Sequence, residues 1–417
     1  MQFDPGRFDS CLRSALALPE VLADAVHCRA RIELEFWDPA TQAGQKTHGQ
    51  TLWHGQPGGP VIFLKASEAI WAKVFDPLPP VGYHSLGALR TRCPGFSIEA
   101  DDLALAQSLP FIERLLEGMR MALDRQVSER GNRWSGLEHI RGTYLPLEGS
   151  GHDWVYAEQS GLDRGPALLM LHTAGADSRQ WHGLMTQDQL RHDWCMHAFD
   201  LPGHGRSPLP GGVANWNWRL TEELYLAWVI GYMDAAGIDK AALMGCSMGS
   251  AIGLALLAKF PHRLTGAVLL EAPYRSPGRR SKYLNHPEVN GGRLAAAWVG
   301  ALLSPSSPKT GRDFATWIYS QAAPGIYDGD LAFYSDDFEA SHHTADIDTR
   351  KTPVWLLTGD YDYSATPADS QRIAQEIAGS NFVELTGFGH FPMVENPNGL
   401  LPHLQEPLSD IRKRILE

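Results

Sequence analysis

The segment Met244-Gly245-Cys246-Ser247-Met248-Gly249-Ser250 constrains this chain more than any other. It follows the apolar run 241–243 and opens the helix-forming stretch 248–260, so Ser247 falls at a strand-to-helix turn. A turn this sharp pushes its central residue into strained backbone geometry and leaves no room for a Cβ on either flank. Glycine at 245 and 249 supplies that room. The serine oxygen then stands clear of the sheet, above a helix N-terminus whose positive end favours a developing oxyanion. With 41 glycines in the chain, chance alone gives roughly 0.3 such pentads. The pentad therefore needs support from the rest of the sequence.

Its surroundings supply that support. Residues 166–172 (Pro-Ala-Leu-Leu-Met-Leu-His) form a continuous apolar run, as a strand covered on both faces should. Residues 196–200, 241–246, 266–270, 353–358 and 382–385 repeat the theme, with helical stretches at 220–236 and 248–260. Strands alternating with helices predict a parallel sheet. Between about 274 and 346 no strand pattern occurs, only helical segments at 293–303, 313–322 and 331–342, which predicts an inserted helical cap. At 417 residues the chain is too long for one ordinary compact domain. Its first part predicts a separate small α+β domain over 1–127: a helix at 8–27, strands at 31–36, 47–53, 61–65 and 96–98, and helices at 67–74 and 110–124. A polar linker over 128–138 follows, and then a second domain over 139–417.

A serine hydroxyl is a poor nucleophile until a base takes its proton, and the base needs an acid to orient it. The end of the chain offers both. The strand at 353–358 runs into Gly359-Asp360-Tyr361-Asp362, and that at 382–385 runs into Thr386-Gly387-Phe388-Gly389-His390-Phe391-Pro392. His390 is the candidate base; Asp362, Asp360 and Glu271, the last at the end of the strand 266–270, are candidate acids.

Residues 140–415 resemble the α/β-hydrolase superfamily, in its capped esterase, lactonase and carbon–carbon hydrolase branch. Four segments carry the resemblance: Leu171-His172-Thr173-Ala174-Gly175, Asp200-Leu201-Pro202-Gly203-His204-Gly205-Arg206-Ser207, the serine turn, and Gly387 to Pro392. The resemblance implies the α/β-hydrolase fold, a mostly parallel sheet flanked by helices. It assigns Ser247 as nucleophile, His390 as base and Asp362 as acid, with Asp360 and Glu271 as alternatives. The oxyanion hole it implies uses the Met248 amide and that of Ala174, with Thr173 the alternative where the family usually has glycine. Relatives that cleave carbon–carbon bonds of diketones tend to carry Asn before the serine and Trp after the histidine. Cys246 and Phe391 stand there in this chain, which favours ester or lactone hydrolysis of a small apolar or aromatic substrate and keeps the carbon–carbon reaction as the alternative. No cofactor or metal is implied.

Other features carry plainer expectations. Cap aromatics at 298, 317, 319, 333 and 334 read mainly as core by helical spacing; Trp298 and Trp317, with Thr173, are candidate substrate contacts. His172 and His204 read as structural, Cys246 as packing, and His342-His343 as surface rather than a metal site. A net charge of −12 with only short basic clusters excludes a nucleic-acid partner. Five scattered cysteines without a CxxC pair, no signal-peptide pattern at the N-terminus and no apolar run of membrane-spanning length predict a cytoplasmic protein without a membrane span, acting on a small molecule. Residues 30–124 also resemble sterol-carrier-like modules, through their strand pattern, 66–75 with Trp71, and 96–105. That resemblance implies an apolar-ligand carrier or a contribution to a homodimer; the alternative is a structural appendage.

Overall fold

The computed structural model describes residues 5–38, 45–123, 135–147, 153–210 and 217–416. Most of the expected linker, 128–134, lies outside the described residues.

The first domain is built on a four-stranded sheet ordered β2-β1-β3-β4, with β1 Arg31–Asp38, β2 Gln45–Trp53, β3 Val61–Ala66 and β4 Ser97–Glu99. Ile32, Leu34 and Phe36 alternate along β1 and are buried, in parallel register with Ile62, Leu64 and Ala66 of β3, so one face of the sheet is apolar. The helix expected at 8–27 is two helices, α1 Pro5–Leu16 and α2 Pro19–Ala25. Pro19 has no N–H to continue α1 and holds Leu18 extended at φ −72°, ψ 131°. Helices α3 Glu68–Val74 and α4 Leu86–Arg92 follow, the second unanticipated because it is short and sits behind a proline-rich loop. The last helix, α5 Asp102–Leu123, starts eight residues earlier than expected and carries Pro110 inside.

The second domain has an eight-stranded sheet, β5 Arg141–Leu147, β6 Asp153–Gly161, β7 Ala167–Leu171, β8 Cys195–Phe199, β9 Ala241–Cys246, β10 Leu264–Leu270, β11 Val354–Gly359 and β12 Asn381–Leu385, in the order β12-β11-β10-β9-β7-β8-β6-β5. The strands from β7 to β12 run parallel. The hairpin β5–β6 pairs antiparallel with β8 at one edge. It escaped the sequence analysis because most of β5 is exposed and lacks an apolar run. The continuous apolar strands have a simple cause. Leu169, Leu171, Leu243, Leu269 and Leu356 point into one core, while Leu168, Met170, Met244, Leu270 and Leu357 point into the other. Both faces are covered by helices, so neither phase of the alternation can be polar.

Between β10 and β11 the chain is helical, at Gly291–Leu302, Lys309–Ser320 and Ile326–Leu331, the last running into a π-helical turn Ala332–Asp337. The single helix expected at 331–342 is thus broken into this turn and a short 3-10 segment, Ala340–His342. The first domain is tied to the second. The Ser85 hydroxyl donates to the Ala301 carbonyl (2.8 Å), Tyr361 donates to the Pro79 carbonyl (2.9 Å), and Arg92 donates to the carbonyls of Asp360 and Asp362. Among the described residues no helix is long and apolar enough to cross a membrane.

Candidate active site

The turn after β9 places Ser247 at φ 54°, ψ −113°, a conformation side chains rarely adopt. The glycines beside it have no alternative: a Cβ at 245 would lie 2.3 Å from the Gly249 carbonyl oxygen, and one at 249 would lie 2.4 Å from that of Leu171. Strands β11 and β12 end in the loops that carry Asp362 and His390. Ser247 Oγ lies 2.8 Å from His390 Nε2, and His390 Nδ1 lies 2.5 Å from Asp362 Oδ2. With the proton on Nδ1, the ring donates to Asp362 and accepts from the serine. The other Asp362 oxygen accepts from the amides of Ser364 (2.6 Å) and Ala365 (3.2 Å). All three side chains are buried.

The alternative acids have other places. Asp360 accepts from the Gly387 amide (2.8 Å), pinning the two loops together. Glu271 accepts from the Gly359 amide (3.0 Å) behind the triad, on a backbone with φ 49°. Burial, and then the Asp362 charge, push the Glu271 carboxyl well above its ordinary range. Burial works in the same sense on Asp362, but His390 and the hydrogen bonds outweigh it and hold Asp362 low. Glu271, Asp362 and His390 also form the one acidic–histidine group among the described residues that could hold a metal ion, yet Asp362 and the His390 Nδ1 are already hydrogen-bonded within it.

Met248 is the first residue of helix Met248–Lys259, so its amide has no partner within the helix. On the facing loop the Thr173 amide donates to Gln180 Oε1 (3.1 Å) and the Gly175 amide to Asp330 Oδ2 (2.7 Å). The Ala174 amide lies between these two anchored amides, and Ala174 lines the same cavity as Ser247. The loop holds its shape without the usual glycine because the Thr173 hydroxyl also bonds Gln180 (3.0 Å) and Tyr319.

Ser247 and His390 open into a cavity of about 530 Å³ that Thr173, Ala174, Trp298, Tyr319 and Tyr334 also line. Trp317 does not reach it. Helix Lys309–Ser320 buries Gly311, Ala315, Ile318 and Tyr319, and Trp317 points the other way, 46% exposed, with the Arg179 guanidinium 4.8 Å from its ring. Tyr319, two residues on, is the aromatic of that helix that lines the cavity.

Two further residues stand at the site: Tyr334, which helical spacing read as core, and Glu395, which the sequence did not single out. The Tyr334 hydroxyl is buried against Ser247 and Ser276, whose hydroxyls offset part of the rise in its pKa that burial causes; it sits in the π-helical turn, a feature that often marks functional positions. Glu395 accepts from the amides of Gly389 (2.6 Å) and Ser304 (2.8 Å), bracing the residue before His390, and burial pushes its carboxyl up to about 7. Only a structure could show the role of Glu395, since no spacing rule links 395 to 389. His172 accepts the Leu201 amide at Nε2 (3.1 Å), and buried His204 meets Asp330 at 2.7 Å. His343, expected at the surface, is buried: it stacks on Phe338 and meets Glu222 at 3.0 Å. Cys246 is buried against the His390 carbonyl, and burial raises its thiol well above the ordinary range.

Comparison with known proteins agrees with this architecture. Pyrrolizixenacetamide deacetylase of Xenorhabdus hominickii is 27% identical over 248 residues, 56% of this chain and 87% of that protein. Zearalenone hydrolase of Cladophialophora bantiana is 28% identical over 279 residues, 64% of this chain and 97% of that protein. The crystal structure of the enol-lactonase from Burkholderia xenovorans LB400 superposes with a TM-score of 0.56 at 21% identity, covering 64% of this chain and 100% of that one, a likeness of fold. A family model described as alpha/beta hydrolase fold matches residues 166–397, more than half of the sequence. The chain belongs to the alpha/beta hydrolase family.

Proposed function

We propose that this protein is a serine hydrolase that cleaves a carboxylic ester or lactone of a small, apolar or aromatic substrate through an acyl-enzyme on Ser247. The observation that carries this is the hydrogen-bonded chain from Ser247 Oγ through His390 to Asp362, opening into a cavity of small-molecule size. His390 takes the hydroxyl proton as Ser247 attacks the carbonyl carbon. The amides of Ala174 and Met248 receive the oxyanion. His390 then protonates the leaving group, and as base it activates the water that releases the acid. Asp362 keeps the ring in the working tautomer and stabilises the imidazolium that forms. The names of the relatives, a deacetylase, a zearalenone hydrolase and a fold neighbour that is an enol-lactonase, fit hydrolysis at an acyl carbon.

A panel of short aryl esters, lactones and aryl diketones, assayed with wild type and Ser247→Ala, tests the reading. Turnover of esters or lactones that the variant loses supports it. Turnover confined to the diketones moves the assignment to carbon–carbon cleavage, and turnover that survives in the variant refutes it.

A further inference from the structure

The cavity over Ser247 is not closed by the hydrolase domain alone. Asp102, Leu105, Ala106, Leu109 and Glu113 of α5 line it too. Their spacing of three, four, seven and eleven residues from Asp102 is that of one helix face. The other face of α5, with Phe111, Ile112, Leu115, Leu116 and Met119, is buried in the first domain's own core. On the cavity side Leu105, Ala106 and Leu109 therefore form an apolar patch between Asp102 and Glu113, while the opposite face is spent on the first domain's own core. Leu105 and Leu109 stay only half-buried there, across from Leu294 and Trp298 of the helix Gly291–Leu302, which line the same space. At the rim the lining residues turn polar and exposed, with Arg90, Thr91 and Arg280. Substrate pockets have this profile, an apolar interior behind a polar rim.

We infer that α5 of the first domain is a specificity-determining wall of the active site, and that Leu105, Ala106 and Leu109, with Leu294 and Trp298, hold the extended apolar part of the substrate away from the reacting carbonyl. This rests on the serine-hydrolase reading and adds the substrate class: acyl compounds with an apolar chain or ring system of several carbons. It also gives the first domain a role different from a free-standing carrier, since the surface it offers a ligand is completed by the hydrolase helix.

The test uses the full-length protein and p-nitrophenyl alkylphosphonates from ethyl to octyl, which modify an activated serine without needing turnover. The rate of Ser247 modification is read by mass spectrometry. Leu109→Trp should lower the octyl-to-ethyl rate ratio by at least about tenfold, and Leu105→Ala, a smaller perturbation of the fold, should shift the optimum to longer chains. A structural appendage predicts that both chains slow together, so an unchanged ratio and an unchanged optimum overturn the inference while leaving the serine assignment intact. Failure of every chain length to modify Ser247 in wild type overturns the serine assignment itself, and the inference with it.

Discussion

The carboxyl of Glu271 sits beside the carboxylate of Asp362, and with His390 their polar atoms lie within 4.8 Å of one another. Two buried acids this close do not both ionise. Asp362 has the imidazole and two amides to stabilise its charge, so Glu271 is the one kept neutral. The sign of the consequence follows. Above its ordinary value of 4.5 an unfolded Glu271 loses its proton, while the folded one keeps it until a much higher pH. Rising pH through that window therefore draws stability away. Glu271→Gln preserves the neutral shape and removes the titration. Its melting temperature relative to wild type should climb between pH 5 and pH 8, and a pH-independent difference would contradict the assignment.

Asp330 does three things at once. It accepts from the Gly175 amide (2.7 Å), from the Trp218 indole (2.9 Å) and from His204 (2.7 Å). Burial opposes the charged His204, but Asp330 prevails and raises its pKa above 6.5. Breaking a buried pair of this kind costs about 3–5 kcal/mol. Asp330→Ala should lose about that much in urea unfolding below pH 6.5, where the charged His204 contributes fully. The loss should shrink as pH rises through the folded His204 value. Because Gly175 follows Ala174, kcat should fall more than KM rises.

The two cap tryptophans named as candidate substrate contacts should behave differently. Trp317 packs on Arg179 outside the cavity, an exposed cation–π contact of about 0.5–1 kcal/mol. Trp317→Ala should keep kcat/KM for a preferred ester within about twofold. Trp298→Ala should raise KM several-fold, since that ring lines the cavity. Steady-state kinetics of both variants decides the point; equal effects would misplace one of them.

The residues legible in the sequence were those fixed by backbone geometry. Gly245 and Gly249 are demanded by contacts under 2.5 Å that no other residue survives, and apolar strands lead into the loops of Ser247 and His390, so those two stood out from punctuation and order, while Asp362 was separated from Asp360 and Glu271 only by the resemblance to the hydrolase family. Glu271 was named as a rival acid; its proximity to Asp362 explains why its position looked suitable. What sequence could not give is which face of an element meets which neighbour. Trp317 and Tyr319 differ by two residues on one helix, and packing alone decides that Tyr319 reaches the cavity. The lining face of α5 was hidden for the same reason. Its apolar residues fit a core helix equally well, and only the docking of the two domains puts Leu105 and Leu109 in the cavity of Ser247.

The account depends on a covalent step at one hydroxyl. Rapid-quench mixing of the protein with an activated aryl ester, followed by peptide mass spectrometry, should find an acyl group on Ser247 within the first turnover. Ser247→Ala and His390→Ala should each lower turnover by about 10⁴ to 10⁶. An acyl adduct on another residue, or aryl ester hydrolysis that persists at wild-type rate in Ser247→Ala, would contradict it.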